Sequence, residues 1–339
     1  MEKHQVEFEQ HHPQVGWCEH DPAVILGTVT TCISETLRKL EAGGSFSRAD
    51  VAAVGITNQR ETTVVWDRRT GAPLYNALVW LDSRAADTVA RFAAESEQGK
   101  DRFREVCGLP LMPCFSGMKL RWLLDNVPAV AEGAAAGTAL FGTVETWLIW
   151  NLSGGVEGGV HVSDVSNASR TMLMELASCS WHAPTCEALG IPLSMLPRIV
   201  SNAEVYCRIS EGVLAGVPIA AAIGDQQSAT VSARALLGSQ PKGCMTNSKA
   251  YRNELHGWCT AGPGVLRGWV CKECEPTRTA RLSAPILLVT ISDPADRCWA
   301  AATDLRHVVV HAHAHRPSPN RRSRGCSARW AFSWGRASL

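Results

Sequence analysis

Ile219-Ala-Ala-Ala-Ile-Gly-Asp-Gln-Gln-Ser228 is the stretch on which the reading of this chain turns. A short apolar run ends in Gly224. A carboxylate and two amides follow, and then a run of small residues, Ala229-Thr-Val-Ser-Ala233. This pattern predicts a buried strand, a tight turn and a helix start. Asp225 then stands at the carboxyl end of a strand, where open α/β sheets carry their chemistry. An Asp before a helix is also an ordinary N-cap, and the stretch taken alone favours the cap. The other reading is a general base, a carboxylate within reach of a hydroxyl proton and worth ~10²–10⁴ in rate.

Upstream, a second apolar run, Val51-Ala-Ala-Val-Gly-Ile56, leads into five polar residues, Thr57-Asn-Gln-Arg-Glu61. The β-rich run Thr62-Thr-Val-Val-Trp66, a turn at Arg69-Thr70-Gly71 and Ala77-Leu-Val-Trp80 complete a compact β unit with a polar rim. Before it, Asp21-Pro22 reads as an N-cap with proline at N1. Ile25, Val29, Ile33, Leu37 and Leu40 then recur at helical spacing until Gly43-Gly44. Gln5-Val-Glu-Phe-Glu9 alternates like a strand. Further helices are expected over 82–93, over 117–126 with Leu120, Leu123 and Leu124 on one face, from Val144, and over 184–189. Cys107 to Ser116 reads as a loop, and Asn167-Ala-Ser169 as a polar turn.

The chain has 339 residues, room for about two domains of ~150 residues. Hydrophobic residues make up 45%, enough for a sizeable core, and the net charge of +1 gives no general pull toward nucleic acid or a membrane surface. No apolar run approaches the ~18 residues of a membrane span. The start Met1-Glu-Lys-His is not a signal peptide, and the thirteen cysteines are irregularly spaced and odd in number. A cytoplasmic protein with reduced thiols is the expectation. Cys271-x-x-Cys274 lacks a standard zinc spacing, and His307, His311, His313 and His315 merely alternate, so no metal site is expected. No P-loop or GxGxxG pattern occurs.

The texture changes after about Lys242. Helical periodicity fades, acidic residues stop after Asp304, and arginines accumulate around Pro317-Ser-Pro-Asn-Arg-Arg-Ser-Arg324. Residues 243–339 are expected to form a mostly irregular tail, disordered or poorly packed and unrelated to residues 1–242.

Three constellations carry chemistry. Arg60 and Glu61, converging in a turn, offer donors and acceptors for a small polyol. They would otherwise be an exposed ion pair worth ~0–1 kcal/mol. The indole face of Trp80 can pack on the carbon side of a polyol, or Trp80 is simply core. Asp225 with Gln226 is the third.

Taken in order, residues 5 to about 242 resemble the glycerol kinases of the FGGY carbohydrate kinase family. The resemblance rests on Gly16-Trp-Cys-Glu-His-Asp-Pro22, Gly55-Ile-Thr-Asn-Gln-Arg-Glu-Thr-Thr63, Tyr75-Asn-Ala-Leu-Val-Trp80, Phe115-Ser-Gly-Met-Lys-Leu-Arg-Trp-Leu-Leu-Asp-Asn126, Phe141-Gly-Thr-Val-Glu-Thr-Trp-Leu-Ile-Trp150, Ser166-Asn-Ala-Ser-Arg-Thr-Met-Leu173 and Gly224-Asp-Gln-Gln227. It implies an α/β, ribonuclease H-like first domain of the actin/hexokinase ATPase type, and ATP-dependent phosphorylation of glycerol to glycerol 3-phosphate. It implies that Arg60 and Glu61 bind glycerol hydroxyls, Trp80 lines the carbon side, Gln226 helps hold the substrate and Asp225 is the base.

Two positions depart from the family. Cys114 stands where the family has a glycerol-contacting tyrosine. An unpaired hydroxyl there costs about 1–3 kcal/mol. Glu145 replaces the usual aspartate. The family's opening strand hairpin, whose acidic loop grips ATP phosphates and positions magnesium, precedes the first matching residue, so an incomplete first domain with an exposed sheet edge is expected. Resemblance to the nucleotide-holding half stops near Lys242. ATP and magnesium are therefore implied by the family while their loops are missing from the match. The expectation is a glycerol kinase-like chain, truncated at both ends and impaired or inactive. The alternative is a non-catalytic fragment that binds glycerol weakly or docks on a full-length kinase. A homo-oligomer is compatible with either, and neither nucleic acid nor membrane is expected as a partner.

Overall fold

The computed structural model describes residues 2–44, 46–229, 286–292 and 307–312. The chain opens with strand β1 (Glu2–Val6) and the short β2 (Glu19–His20). Helix α1 follows (Pro22–Ala42). Asp21 caps it by accepting from the Ala23 N–H at 2.8 Å, and Ile25, Val29, Ile33, Leu37 and Leu40 are all buried. Its 3.6-residue apolar stripe is thus the face that meets the sheet. Gly44, at φ +70°, turns the chain away through the left-handed region.

Strands β3 (Ala53–Asn58), β4 (Val64–Asp67) and β5 (Ala77–Leu78) form the β unit read from sequence. Helices α2 (Ala86–Ala94), α3 (Arg104–Cys107), α4 (Ser116–Asn126) and α5 (Pro128–Ala135) follow, then β6 (Ala139–Gly142) and α6 (Val144–Leu152). Strand β7 (Val162–Asp164) runs into helix α7 (Val165–Ala168). Asn167 is therefore in a short helix, not the expected polar turn, because the Asp164 carboxylate caps the Ser166 and Asn167 N–H groups and winds the segment up. The hairpin β8 (Met174–Glu175) and β9 (Ser180–Trp181), helix α8 (Ala183–Ala188), β10 (Arg198–Val200) and β11 (Cys207–Arg208) lead to β12 (Pro218–Gly224). Residues 225–229 are helical. The opening stretch is thus a strand, a turn and a helix start.

Two more strands belong to the central sheet, β13 (Ile286–Ser292) and β14 (His307–Ala312). The order is β1-β14-β13-β3-β12-β11. Strand β3 lies at its heart, parallel to β12 on one side and to β13 on the other. It is buried on both faces from Val54 to Asn58, as a central parallel strand requires. Gly224 on β12 and Ile291 on β13 both stand opposite Asn58, so three carboxyl ends are level at one rim.

Residues 243–339, expected to be mostly irregular, contribute these two strands among the described residues. Leu287, Val289 and Ile291 are fully buried and join the same core as Val54 and Ile56. Strand β13 pairs along one side of β3, and the open sheet ends in β1 and β11. Ile286-Leu-Leu-Val-Thr-Ile291 and His307-Val-Val-Val-His311 are short, β-rich apolar runs of strand length embedded in a polar, arginine-rich context. Strand β1 also starts three residues earlier than expected, pairing antiparallel with β14. The Cys271/Cys274 pair, His313, His315 and the run from Pro317 lie outside the described residues, as do the side chains of His307 and His311.

Candidate polyol site at the sheet rim

The rim is built where β3 and β12 end. Chain exit from β3 passes through Arg60 and Glu61, and Glu61 adopts φ +60°. A non-glycine residue held in the left-handed region costs about 1–3 kcal/mol and persists only when its surroundings fix it. Here the Thr62 N–H donates to the Arg60 carbonyl at 2.7 Å. The Ser116 and Thr63 hydroxyls donate to the Glu61 carbonyl at 3.0 and 3.1 Å. The Arg60 charge is near enough to act on the Glu61 carboxyl.

Arg60 reaches across to β12, where its Nε lies 3.4 Å from Asp225 Oδ1, and both side chains are 5% exposed. Gly224 makes this crossing possible. A Cβ at that position would stand 2.5 Å from Arg60 Cδ, well inside contact distance. Asp225 begins the helix, and its Oδ1 also accepts from the Gln226 N–H at 2.7 Å. The residue is therefore both part of the helix start and part of the rim. Gln226 follows, half-buried.

Glu61 is held from the other side by Arg170, whose Nε is 2.6 Å from Oε1. The Arg170 guanidinium rests 4.9 Å from the Phe115 ring centroid. Burial acts to raise the Glu61 carboxyl, but Arg60, Arg170 and Lys119 outweigh it and hold the group below its ordinary value. Trp80 is half-buried, and its backbone N–H donates to the Thr62 hydroxyl at 3.3 Å. The Thr63–Leu78 bridge brings that segment alongside.

Cys114 is half-buried in the loop before α4. Burial pushes its thiol up, against the charge of Lys119. Lys119 itself is fully buried and donates to the Cys114 carbonyl. Burial pushes its ammonium down to about 8. Arg60, Glu61, Cys114 and Asp225 thus share one charged cluster, with Trp80 and Gln226 attached to its edges.

Residues 1–232 match the N-terminal domain of the FGGY family of carbohydrate kinases. The chain belongs to this family. It is 50% identical over 227 residues to a glycerol kinase of Arabidopsis thaliana, covering 67% of this chain and 44% of that protein. It is 47% identical over 243 residues to a probable glycerol kinase of Caenorhabditis elegans, covering 70% and 47%. A crystal structure of Plasmodium falciparum glycerol kinase with ADP superposes with a TM-score of 0.62 at 37% identity, covering 67% of this chain and 44% of that one. A gluconate kinase of Lactobacillus acidophilus, at 19% identity and TM-score 0.55, shares the fold. The fold is accordingly that of the actin/hexokinase-like ATPases, and the chain spans less than half the length of the curated relatives it matches.

Kinase chemistry uses a nucleotide and magnesium, which need free anionic or phosphate-binding groups. Both rim carboxylates, Glu61 and Asp225, are engaged by arginines. No three His, Cys, Asp or Glu side chains converge as a metal site among the described residues. These residues do not by themselves make a donor site. No helix among them is long and apolar enough to cross a membrane.

Arg170 and Lys119 went unassigned in the sequence reading, although both sit inside its matched motifs. Lys119 had a signal: it falls one residue before Leu120 and four before Leu123, on the buried face of α4. Arg170 had none, since a salt bridge spanning 109 positions is invisible in one dimension.

Proposed function

We propose that the rim binds glycerol, and that this chain is the acceptor half of a glycerol kinase. The observation that carries the reading is the Arg60–Asp225 contact beside a Glu61 held in a strained backbone state by its neighbours. Glu61, kept ionised by three cations, accepts hydrogen bonds from two neighbouring hydroxyls. Arg60 donates to the same polyol, and Gln226 adds an amide. The Trp80 ring covers the carbon side. Asp225 takes the proton of the third hydroxyl as its oxygen becomes a nucleophile. Cys114 lacks the reach of a phenol, so affinity is lower than the relatives' tyrosine would give.

The phosphate donor of such a reaction is ATP with magnesium. Transfer depends almost wholly on positioning that donor and stabilising its charge. The described residues supply only the acceptor side, so kinase turnover near background is expected, in a cytoplasmic setting.

Calorimetric titration with glycerol and a coupled ADP-release assay test this. Saturable binding is expected, weakened about 10- to 100-fold by Glu61→Gln, the loss of a charged hydrogen-bond partner worth about 1.5–3 kcal/mol. Ordinary turnover would sink the acceptor-half reading. Absence of any glycerol heat would sink the site.

A further inference from the structure

Beneath the rim lies a closed polar core that the kinase reading does not use. Glu145, in the first turn of α6, and Asp164, at the end of β7, are both 0% exposed. Among the described residues, no lysine, arginine or histidine forms an ion pair with either.

Their hydrogen-bond partners differ in kind. Asp164 Oδ1 accepts from the Ser166 N–H at 2.9 Å, the Asn167 N–H at 3.2 Å, Asn202 Nδ2 at 2.7 Å and the Ser166 hydroxyl. Its Oδ2 accepts from Asn167 Nδ2 at 2.6 Å. Four of these five groups are amides that can only donate, which suits a carboxylate. Glu145 Oε1 instead meets three hydroxyls: Thr143 at 2.6 Å, Ser163 at 2.7 Å and Thr146 at 3.0 Å. Its Oε2 meets Asn58 Nδ2 at 2.9 Å. A hydroxyl accepts as readily as it donates. Oε1 can therefore carry a hydrogen and give it to one of these oxygens while accepting from the others. Two charged carboxylates in one buried network, with no cation facing them among the described residues, would repel each other.

We propose that Glu145 is held as a neutral carboxylic acid, and that its proton is the latch that keeps the strand ends beneath the polyol site closed. The same network fastens the rim. Asn58, at the end of β3, bonds Glu145 and exchanges a reciprocal amide pair with Asn167, 3.0 Å in each direction. Ser166 accepts from the Gly224 N–H at 2.8 Å, one residue before Asp225. Asn202 donates to the Ala222 carbonyl at 2.9 Å. Glu145 is thus a positioning residue for the ends of β3 and β12.

The titratable groups around it agree with this assignment. Burial, and then the Asp164 charge, push Glu145 up to about 7. Burial pushes Asp164 up as well. Tyr206, before β11, is also pushed up by burial. The first charge beyond Asn58 on β3 is Arg60, occupied by Asp225, and the first beyond α7 is Arg170, occupied by Glu61. His161, before β7, is directed to the Phe141 carbonyl, and burial pushes it down to about 4.

Glu145→Gln replaces the acid by an isostere with a permanent donor. A carboxyl raised in the folded state contributes stability that is complete below its unfolded value, 4.5, and is lost as pH rises through about 7. His161 acts the other way as pH rises from about 4 to 6.5, so the difference between wild type and variant isolates Glu145. Urea midpoints at pH 5 and pH 8 should show the wild-type folding constant falling roughly 10²-fold relative to the variant. Hydrogen exchange over residues 219–224 should be faster in wild type than in the variant at pH 8 and equal at pH 5.5, a profile that a purely structural role would not produce. If the two proteins keep a constant difference across pH, the proposal is wrong. Should the variant not fold, infrared spectra of wild type with ¹³C-labelled glutamate decide. A protonated carboxyl band at pH 6 that fades by pH 9 supports the assignment, and its absence at pH 6 overturns it.

Discussion

Truncating Ile291 to alanine tests whether the C-terminal strand pair belongs to the domain. Ile291 is fully buried against the β3 side of the core. Its carbonyl accepts from the Gln59 N–H at 2.7 Å, one residue before Arg60. The backbone bond survives truncation, so the change reads the side chain alone. Three carbons leave the core, at about 0.8 kcal/mol each by transfer. A cavity term is added, and measured Ile→Ala changes in cores run about 2–5 kcal/mol. With a urea slope of about 2–3 kcal/mol per molar, the unfolding midpoint should drop by about 1 M. Leu288→Ala is the control, because Leu288 is on the same strand but 36% exposed. It should cost clearly less than Ile291→Ala, because part of its side chain already meets water. Equal and negligible shifts for the two variants would refute the packing of β13 on β3.

Two further predictions concern the site. Gly224→Ala puts a methyl 2.5 Å from Arg60 Cδ and 2.7 Å from Gln227 Oε1. Overpacking of this kind costs about 1–3 kcal/mol. Since the obstacle is the stem of a flexible arginine, the fold should persist while Arg60 is displaced, and calorimetry should find glycerol affinity down by about tenfold or more. Unchanged affinity would mean that Arg60 does not act from this position. Lys119→Met removes a buried ammonium pushed down to about 8 from 10.5. A lysine depressed in the folded state loses its proton there first, so wild-type stability should rise between about pH 8 and pH 10.5, by about 3 kcal/mol at most. The methionine variant should lack that rise in urea midpoints, and a flat wild-type profile would contradict the burial.

Much of the fold was legible because it is written in local periods. The α1 stripe, its Asp21 cap and the strand–turn–helix around Gly224 each follow from residues within one turn or one strand of each other. Where the sequence reading went wrong, the local signal was outweighed by its surroundings. Residues 286–291 are a short apolar run that strand and buried helix share, and the arginine and proline bias around it hides its place in the sheet. Asn167 looked like a turn because the capping role of Asp164 depends on geometry rather than composition.

By itself the sequence determined the parts: a strand ending in Gly224-Asp225, a polar turn at Arg60-Glu61, an aromatic at Trp80 and the motifs shared with carbohydrate kinases. Tertiary structure alone decided how they face one another. Arg60 meets Asp225 because two parallel strands end level, and Arg170 meets Glu61 across 109 positions. Lys119 and Glu145 became buried charges or acids only when the surrounding elements closed over them. Ionic attraction, desolvation and hydrogen-bond direction depend on distance in space, and distance along the chain does not specify it.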